Sequence, residues 1–142
     1  MIRQGFPSQA IAPGTQVMVE RRGYRHYGIA ADPGRVIHYA GLIRYPHGLV
    51  EEIPLSAFAR GRELIVGPPP IGGDDILRRA RSRLGEASYD LFTNNCEHFS
   101  NWCQTGQHRS RQAEALNWST TVLIRVIQGL CTWPFHARPT KV

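Results

Sequence analysis

Lysine is nearly missing from this chain: of 17 basic residues, only Lys141 is a lysine. Arginine supplies the rest, and against 11 acidic residues the formal net charge is +6. That balance favours contact with something anionic. The basic residues are spread along the chain. There is no zinc finger, basic zipper or aromatic nucleic-acid signature, so no nucleic-acid partner is expected. An anionic membrane surface remains as a possible partner. Cysteine is scarce as well. Cys96, Cys103 and Cys131 are odd in number and show no disulfide spacing, which points to a reducing, cytoplasmic setting. No uncharged stretch reaches the ~20 residues of a membrane-spanning helix. The nearest approach, residues 118–135, is interrupted by Arg125 and Gln128. Residues 1–14 lack the unbroken apolar stretch of a secretory signal. No internal repeat or low-complexity tract is present.

What is there suits one compact domain. The length is 142 residues, enough to bury a hydrophobic core without disulfide staples. The first half reads as strands. Residues 16–20 alternate apolar and polar, and YRHYGIAADPGRVIHYAG reads as two strands joined by a turn at Asp32, Pro33 and Gly34. LVEEIPL is a further short strand stopped by Pro54, and RELIVGPPP is a strand ended by a proline run. Asp74 and Asp75 then open a helix, with Leu77, Ala80 and Leu84 along its apolar face and Gly85 at its end. NNCEHFSNWCQTG predicts a second helix, with Asn94 as cap, Glu97 completing a capping box and Gly106 as stop. Residues 110–142 form an extension. Leu123, Val126, Ile127 and Leu130 fall at helical spacing, so the extension either packs on the domain or lies at a membrane interface.

Cys96 and His98 stand close together in sequence, yet a helix turns ~100° per residue, so positions i and i+2 point to nearly opposite sides. His98 is therefore expected to be structural. Cys96 falls in the helix's first turn, where free backbone N–H groups and the positive dipole end favour a thiolate and can hold an oxyanion. An inert buried cysteine is equally compatible with that position. Cys103 continues the same helical stripe and needs only a packing role.

The hairpin offers a base. If its loop is Asp32-Pro33-Gly34, Ala31 faces Arg35, and His26 and His38 share one face of the ribbon. They become diagonal neighbours ~7–8 Å apart at their backbones. A two-residue loop would put them on opposite faces. On this reading His26 accepts the Cys96 proton and His38 orients His26. A zinc site built from His26, His38 and Cys96 is a competing reading, but it lacks the short paired ligand spacings of structural zinc. Two histidines without chemistry are also compatible with the geometry.

At these residues the sequence resembles the lecithin retinol acyltransferase (LRAT) family. NNCEHFSNWCQTG is similar to its Asn-Cys-Glu-His-Phe cysteine motif, and YRHYGIAADPGRVIH to its histidine segment. RARSRLGEASYDLFTNNCEHF is similar to the helix, Leu-Gly stop and tyrosine that precede that cysteine. The similarity spans residues 13–106. It implies an α+β, permuted papain-like (NlpC-type) thiol fold, with an antiparallel sheet packed against the helix that carries the cysteine. The domain would occupy residues 1–109. It further implies Cys96 as nucleophile, His26 as base and His38 as third polar residue, with no cofactor and no metal. Family members cleave an acyl ester, often of a glycerophospholipid, through a cysteine thioester, and pass the acyl group to water, an amine or an alcohol. The expected activity is thus that of a thiol acyltransferase or phospholipase A-type hydrolase acting on an acyl-bearing lipid. The stretch between His38 and Cys96 is short and has no long insert of the retinol-esterifying type. A papain-like peptidase or amidase, and a non-catalytic interaction module, are the alternatives. An apolar groove would favour lipid; a polar cleft with backbone-pairing edges would favour peptide.

Overall fold

The computed structural model describes residues 11–107 and the backbone of a short N-terminal strand, β1 (Ile2–Gln4). The 110–142 extension, with Cys131, lies outside the described residues. The other strands are β2 (Gln16–Arg21), β3 (Tyr24–Ala31), β4 (Arg35–Ala40), β5 (Leu49–Pro54) and β6 (Leu64–Val66); the helices are α1 (Leu55–Ala59), α2 (Gly73–Ser82) and α3 (Cys96–Thr105). The strands form one antiparallel sheet in the order β1-β6-β2-β3-β4-β5. With strands preceding the cysteine helix, this is the α+β, permuted papain-like arrangement that the sequence resemblance implied.

The central strands are buried on both faces because helices cover both. Met18, Tyr27, Ile29, Ile37 and Tyr39 pack with Ile76, Leu77, Phe99 and Cys103 beneath α2 and α3. Val17, Val19, Ala30 and Val36 face the other way, onto Phe58 and Ala59 of α1. Each strand thus divides its side chains between two cores with a period of two. Long-range hydrogen bonds tie α3 and α2 down. Gln16 Nε2 donates to Ser100 Oγ at 2.8 Å, Gln104 Nε2 to the Gly14 carbonyl at 2.9 Å, and Arg79 Nε to the Cys103 carbonyl at 2.7 Å.

Four sequence expectations need revision. The short helix α1 was missed, because the reading ended at Pro54, which here closes β5 and stands at the helix's N-cap position. β1 was missed too; it is recognisable only through its pairing with β6. α2 ends at Ser82, so Leu84 falls beyond it and is half exposed, while Ile76 takes the buried place beside Leu77 and Ala80. Finally, α3 is capped by Asn95 and not Asn94. The Asn95 side chain accepts from the Glu97 and His98 backbone N–H groups at 2.9 and 3.0 Å. The Asn95 backbone N–H donates to His98 Nδ1 at 3.3 Å, so His98 and not Glu97 closes the capping box. Asn94 is occupied elsewhere, pairing with the Asp90 backbone and donating to Glu86 and the Ser88 carbonyl. Gly106, at φ +74°, ends α3 in the left-handed conformation that costs glycine little.

Candidate active site

The β3–β4 hairpin has the loop Asp32-Pro33-Gly34, with Ala31 opposite Arg35 and Gly28 opposite His38. His26 and His38 therefore share a face, and their rings meet: His26 Nε2 lies 2.8 Å from His38 Nδ1. Both imidazoles are buried. Phe58, on the unforeseen α1, forms their floor. It stacks on His26 at 5.2 Å between centroids and meets His38 edge-on at 5.5 Å. Gly28 allows this approach, since a Cβ there would overlap Val36 Cγ1 and come within 3.1 Å of Phe58 Cε2.

His38 continues the chain of contacts outward. Its Nε2 lies 3.2 Å from Glu51 Oε1 on β5. Glu51 also pairs with Arg44 at 3.2 Å and accepts from the Tyr45 hydroxyl at 2.9 Å. Burial, then the His38 ring and the Arg21 and Arg60 cations, hold His26 down at about 3. Burial, then Arg44, Arg60 and Arg21, do the same for His38, also to about 3. A carboxylate beside His38 would ordinarily raise it, but burial, helped by the three arginine cations, outweighs that pull. Both rings are neutral near neutral pH, each with one N–H and one bare nitrogen.

Cys96 opens α3 and belongs to the core beneath that helix, with Tyr27, Ile29 and Phe99. His26 and His38 lie on the opposite, α1 side of the sheet. The two groups come to the same end of β3, where Cys96 Sγ sits 3.8 Å from the carbonyl oxygen of Arg25, the residue preceding His26. The sequence reading expected the helix start to favour a thiolate. Instead burial pushes the thiol up to about 11; nearby backbone N–H groups of Tyr27, Glu97 and Cys96 oppose the shift without overcoming it. A desolvated sulfur gains too little from helix-end N–H groups to offset its lost hydration. Cys103 is fully buried and is pushed up to about 12 by the same cause.

Two features escaped sequence reasoning. The first is Tyr89, whose hydroxyl lies against the Cys96 backbone N–H and thiol; burial, then Cys96, hold this phenol above its ordinary value, so it stays a protonated donor. Its position ahead of the cysteine motif was visible, but its contact was not. The second is Arg83. Its guanidinium pairs with Glu86, donates to Asn94 Oδ1 at 2.9 Å, and lies over the rings of Trp102, Phe99 and Tyr39 at 5.0, 5.3 and 5.9 Å. This network anchors the segment that carries Tyr89 and the Asn95 cap, and it holds the Glu86 carboxyl down at about 2. Arg83 is a largely buried cation.

A cavity of about 270 Å³ opens beside the histidines. Its walls are mostly apolar, including Leu42, Ile43, Ile53, Phe58 and Leu91, with Tyr89 also on the lining. Arg21, Arg44 and Arg60 border it. Arg60 reaches it from a left-handed backbone at φ +50°, unusual for a residue with a Cβ. Among the described residues no group of three or more His, Cys, Asp or Glu side chains is placed to hold a metal ion. Nor, among them, is any helix long and apolar enough to cross a membrane.

Comparison with known proteins agrees with the sequence motifs. Residues 9–109 match the family model described as lecithin retinol acyltransferase. The chain is similar to the lecithin retinol acyltransferase of Mus musculus, 40% identical over 143 residues, covering 79% of this chain and 62% of that protein. The Rattus norvegicus protein of the same name is 27% identical over the same shares. Phospholipase A and acyltransferase 4 of Homo sapiens is 27% identical over 131 residues, covering 76% of this chain and 78% of that protein. The chain thus spans less than two thirds of the length of the two lecithin retinol acyltransferases.

Proposed function

This chain belongs to the lecithin retinol acyltransferase family, and on that premise we propose that it is a cysteine-dependent acyltransferase or phospholipase A-type hydrolase acting on a glycerophospholipid. The observation that carries the reading is the apolar cavity opening onto a buried, hydrogen-bonded histidine pair, with a helix-start cysteine at the same strand end. Apolar walls of this kind accept an acyl chain. The bordering arginines give the substrate's phosphate a cationic rim.

The chemistry runs on neutral partners. For reaction the Cys96 side chain turns from the Arg25 carbonyl around the end of β3 toward His26, and hands it the thiol proton as the sulfur attacks the ester carbonyl. The developing oxyanion is held by the Cys96 backbone N–H, which the Asn95 cap does not take, and by the Tyr89 hydroxyl. The C–O bond breaks, His26 protonates the departing alcohol, and an acyl thioester remains on Cys96. Water, an amine or an alcohol then gives its proton to His26 and attacks the thioester carbonyl; the C–S bond breaks and His26 returns the proton to the departing sulfur, which regenerates the thiol. His38 orients His26 throughout. No metal or cofactor enters this scheme.

Incubation with a short-chain phosphatidylcholine, followed by peptide-resolved mass spectrometry, tests it. An acyl-sized mass gain is expected on Cys96, absent in Cys96→Ala and far slower to appear in His26→Ala. An adduct on Cys103 or Cys131, or an unchanged rate in His26→Ala, would overturn the assignment.

A further inference from the structure

We propose that Glu51 is a positioning residue that selects the tautomers of both histidines and so keeps His26 able to act as a base. The inference rests on the function proposed above. Three side chains form a line: Glu51 Oε1, then His38 Nε2 at 3.2 Å, then His38 Nδ1 to His26 Nε2 at 2.8 Å.

Neutral imidazoles can fill this line in two ways, because each ring has one N–H and one bare nitrogen. In the first, His38 carries its proton on Nε2 and donates to Glu51. Its bare Nδ1 then accepts from His26 Nε2–H, which leaves the Nδ1 lone pair of His26 for a thiol proton. In the second, His38 carries its proton on Nδ1 and donates to His26 Nε2. Now His26 bears its proton on Nδ1 and has no lone pair to offer a thiol. His38 Nε2 would also face the Glu51 carboxylate lone pair to lone pair. A carboxylate is an acceptor only, so Glu51 permits the first arrangement and opposes the second.

Glu51 is itself held in place. The Tyr45 hydroxyl donates to its Oε2 at 2.9 Å, and Arg44 pairs with its Oε1 at 3.2 Å. The β4–β5 register sets His38 opposite Glu51, so the contact is built into the sheet. Strand pairing, and not a loop, therefore decides the tautomer of a ring whose partner lies on β3.

The test uses the full chain, with Glu51→Gln and Glu51→Leu. Both remove the charge, but glutamine keeps an oxygen acceptor toward His38 Nε2 and leucine does not. Histidine ¹⁵N NMR reads the tautomers directly. In the wild type, His38 is expected protonated on Nε2 and His26 bare on Nδ1. Glu51→Gln should keep that pattern and most of the acyl-transfer rate. Glu51→Leu should move the His38 proton to Nδ1 and lower kcat by about 10²-fold, at the lower end of what a general base contributes, with KM little changed. A wild-type His38 bare on Nε2 would overturn the proposal without any variant. So would a Glu51→Leu protein that keeps both tautomers. The NMR readout is independent of turnover. If the predicted tautomers appear but no lipid is ever turned over, the positioning inference stands and the functional reading falls.

Discussion

Raising the pH in the presence of iodoacetamide should expose the state of the Cys96 thiol. An ordinary cysteine near 9.0 is about 1% thiolate at pH 7, whereas one pushed up to about 11 is only about 0.01% thiolate. Alkylation of Cys96 at pH 7 should then be roughly a hundredfold slower in the folded protein than in urea, from titration alone. Between pH 7 and pH 10 the folded rate should climb about tenfold per unit, close to a thousandfold in all. Occlusion of Cys96, a residue only 4% exposed, slows every point equally, so the slope is diagnostic and the absolute rate is not. Peptide-resolved mass spectrometry separates Cys96 from Cys103, which should lag further because burial pushes it to about 12. His26→Ala should leave the Cys96 curve where it is, since desolvation dominates that thiol. A rate already level below pH 8, lost in His26→Ala, would mean a pre-formed thiolate–imidazolium pair. That outcome would refute both the thiol at about 11 and the His26 imidazole at about 3.

The histidine pair should also make the fold acid-sensitive. Each ring sits at about 3 against an ordinary 6.5, so the unfolded chain binds more protons between those values; the associated stability is full above pH 6.5 and drains as pH falls toward 3. The loss is at most ~1.4 kcal/mol per pH unit for each ring, and urea midpoints from pH 6.5 to 4.5 read it before the Glu86 carboxyl contributes; an equally steep fall in a His26→Gln/His38→Gln protein would remove the cause. Gly28→Ala should cost ~1–3 kcal/mol by overpacking, because its Cβ meets Val36, Phe58 and the Ile37 carbonyl. Acyl transfer should fall as well, because Phe58 floors both imidazoles, and Gly28→Ala/Val36→Ala should recover much of it; an unchanged urea midpoint in the single variant would contradict the close approach.

The order of strands β2 to β6 and of helices α2 and α3, the shared face of His26 and His38, and the place of Cys96 at a helix opening are all local consequences of sequence. Alternation, a three-residue hairpin loop and an asparagine before a cysteine act over a few residues, so they can be read without knowing what lies across the sheet. Even there the cap slipped by one position, because Asp90 claims the backbone of Asn94. What tertiary structure alone decided was environment. Phe58 arrives from α1 to floor the imidazoles, Glu51 is set opposite His38 by strand pairing, and Arg83 is drawn in over three rings. The Cys96 thiol shows why the two kinds of knowledge differ. A helix terminus is a property of neighbouring residues, but hydration is lost only when distant segments close over a group, and for this sulfur the second effect outweighs the first.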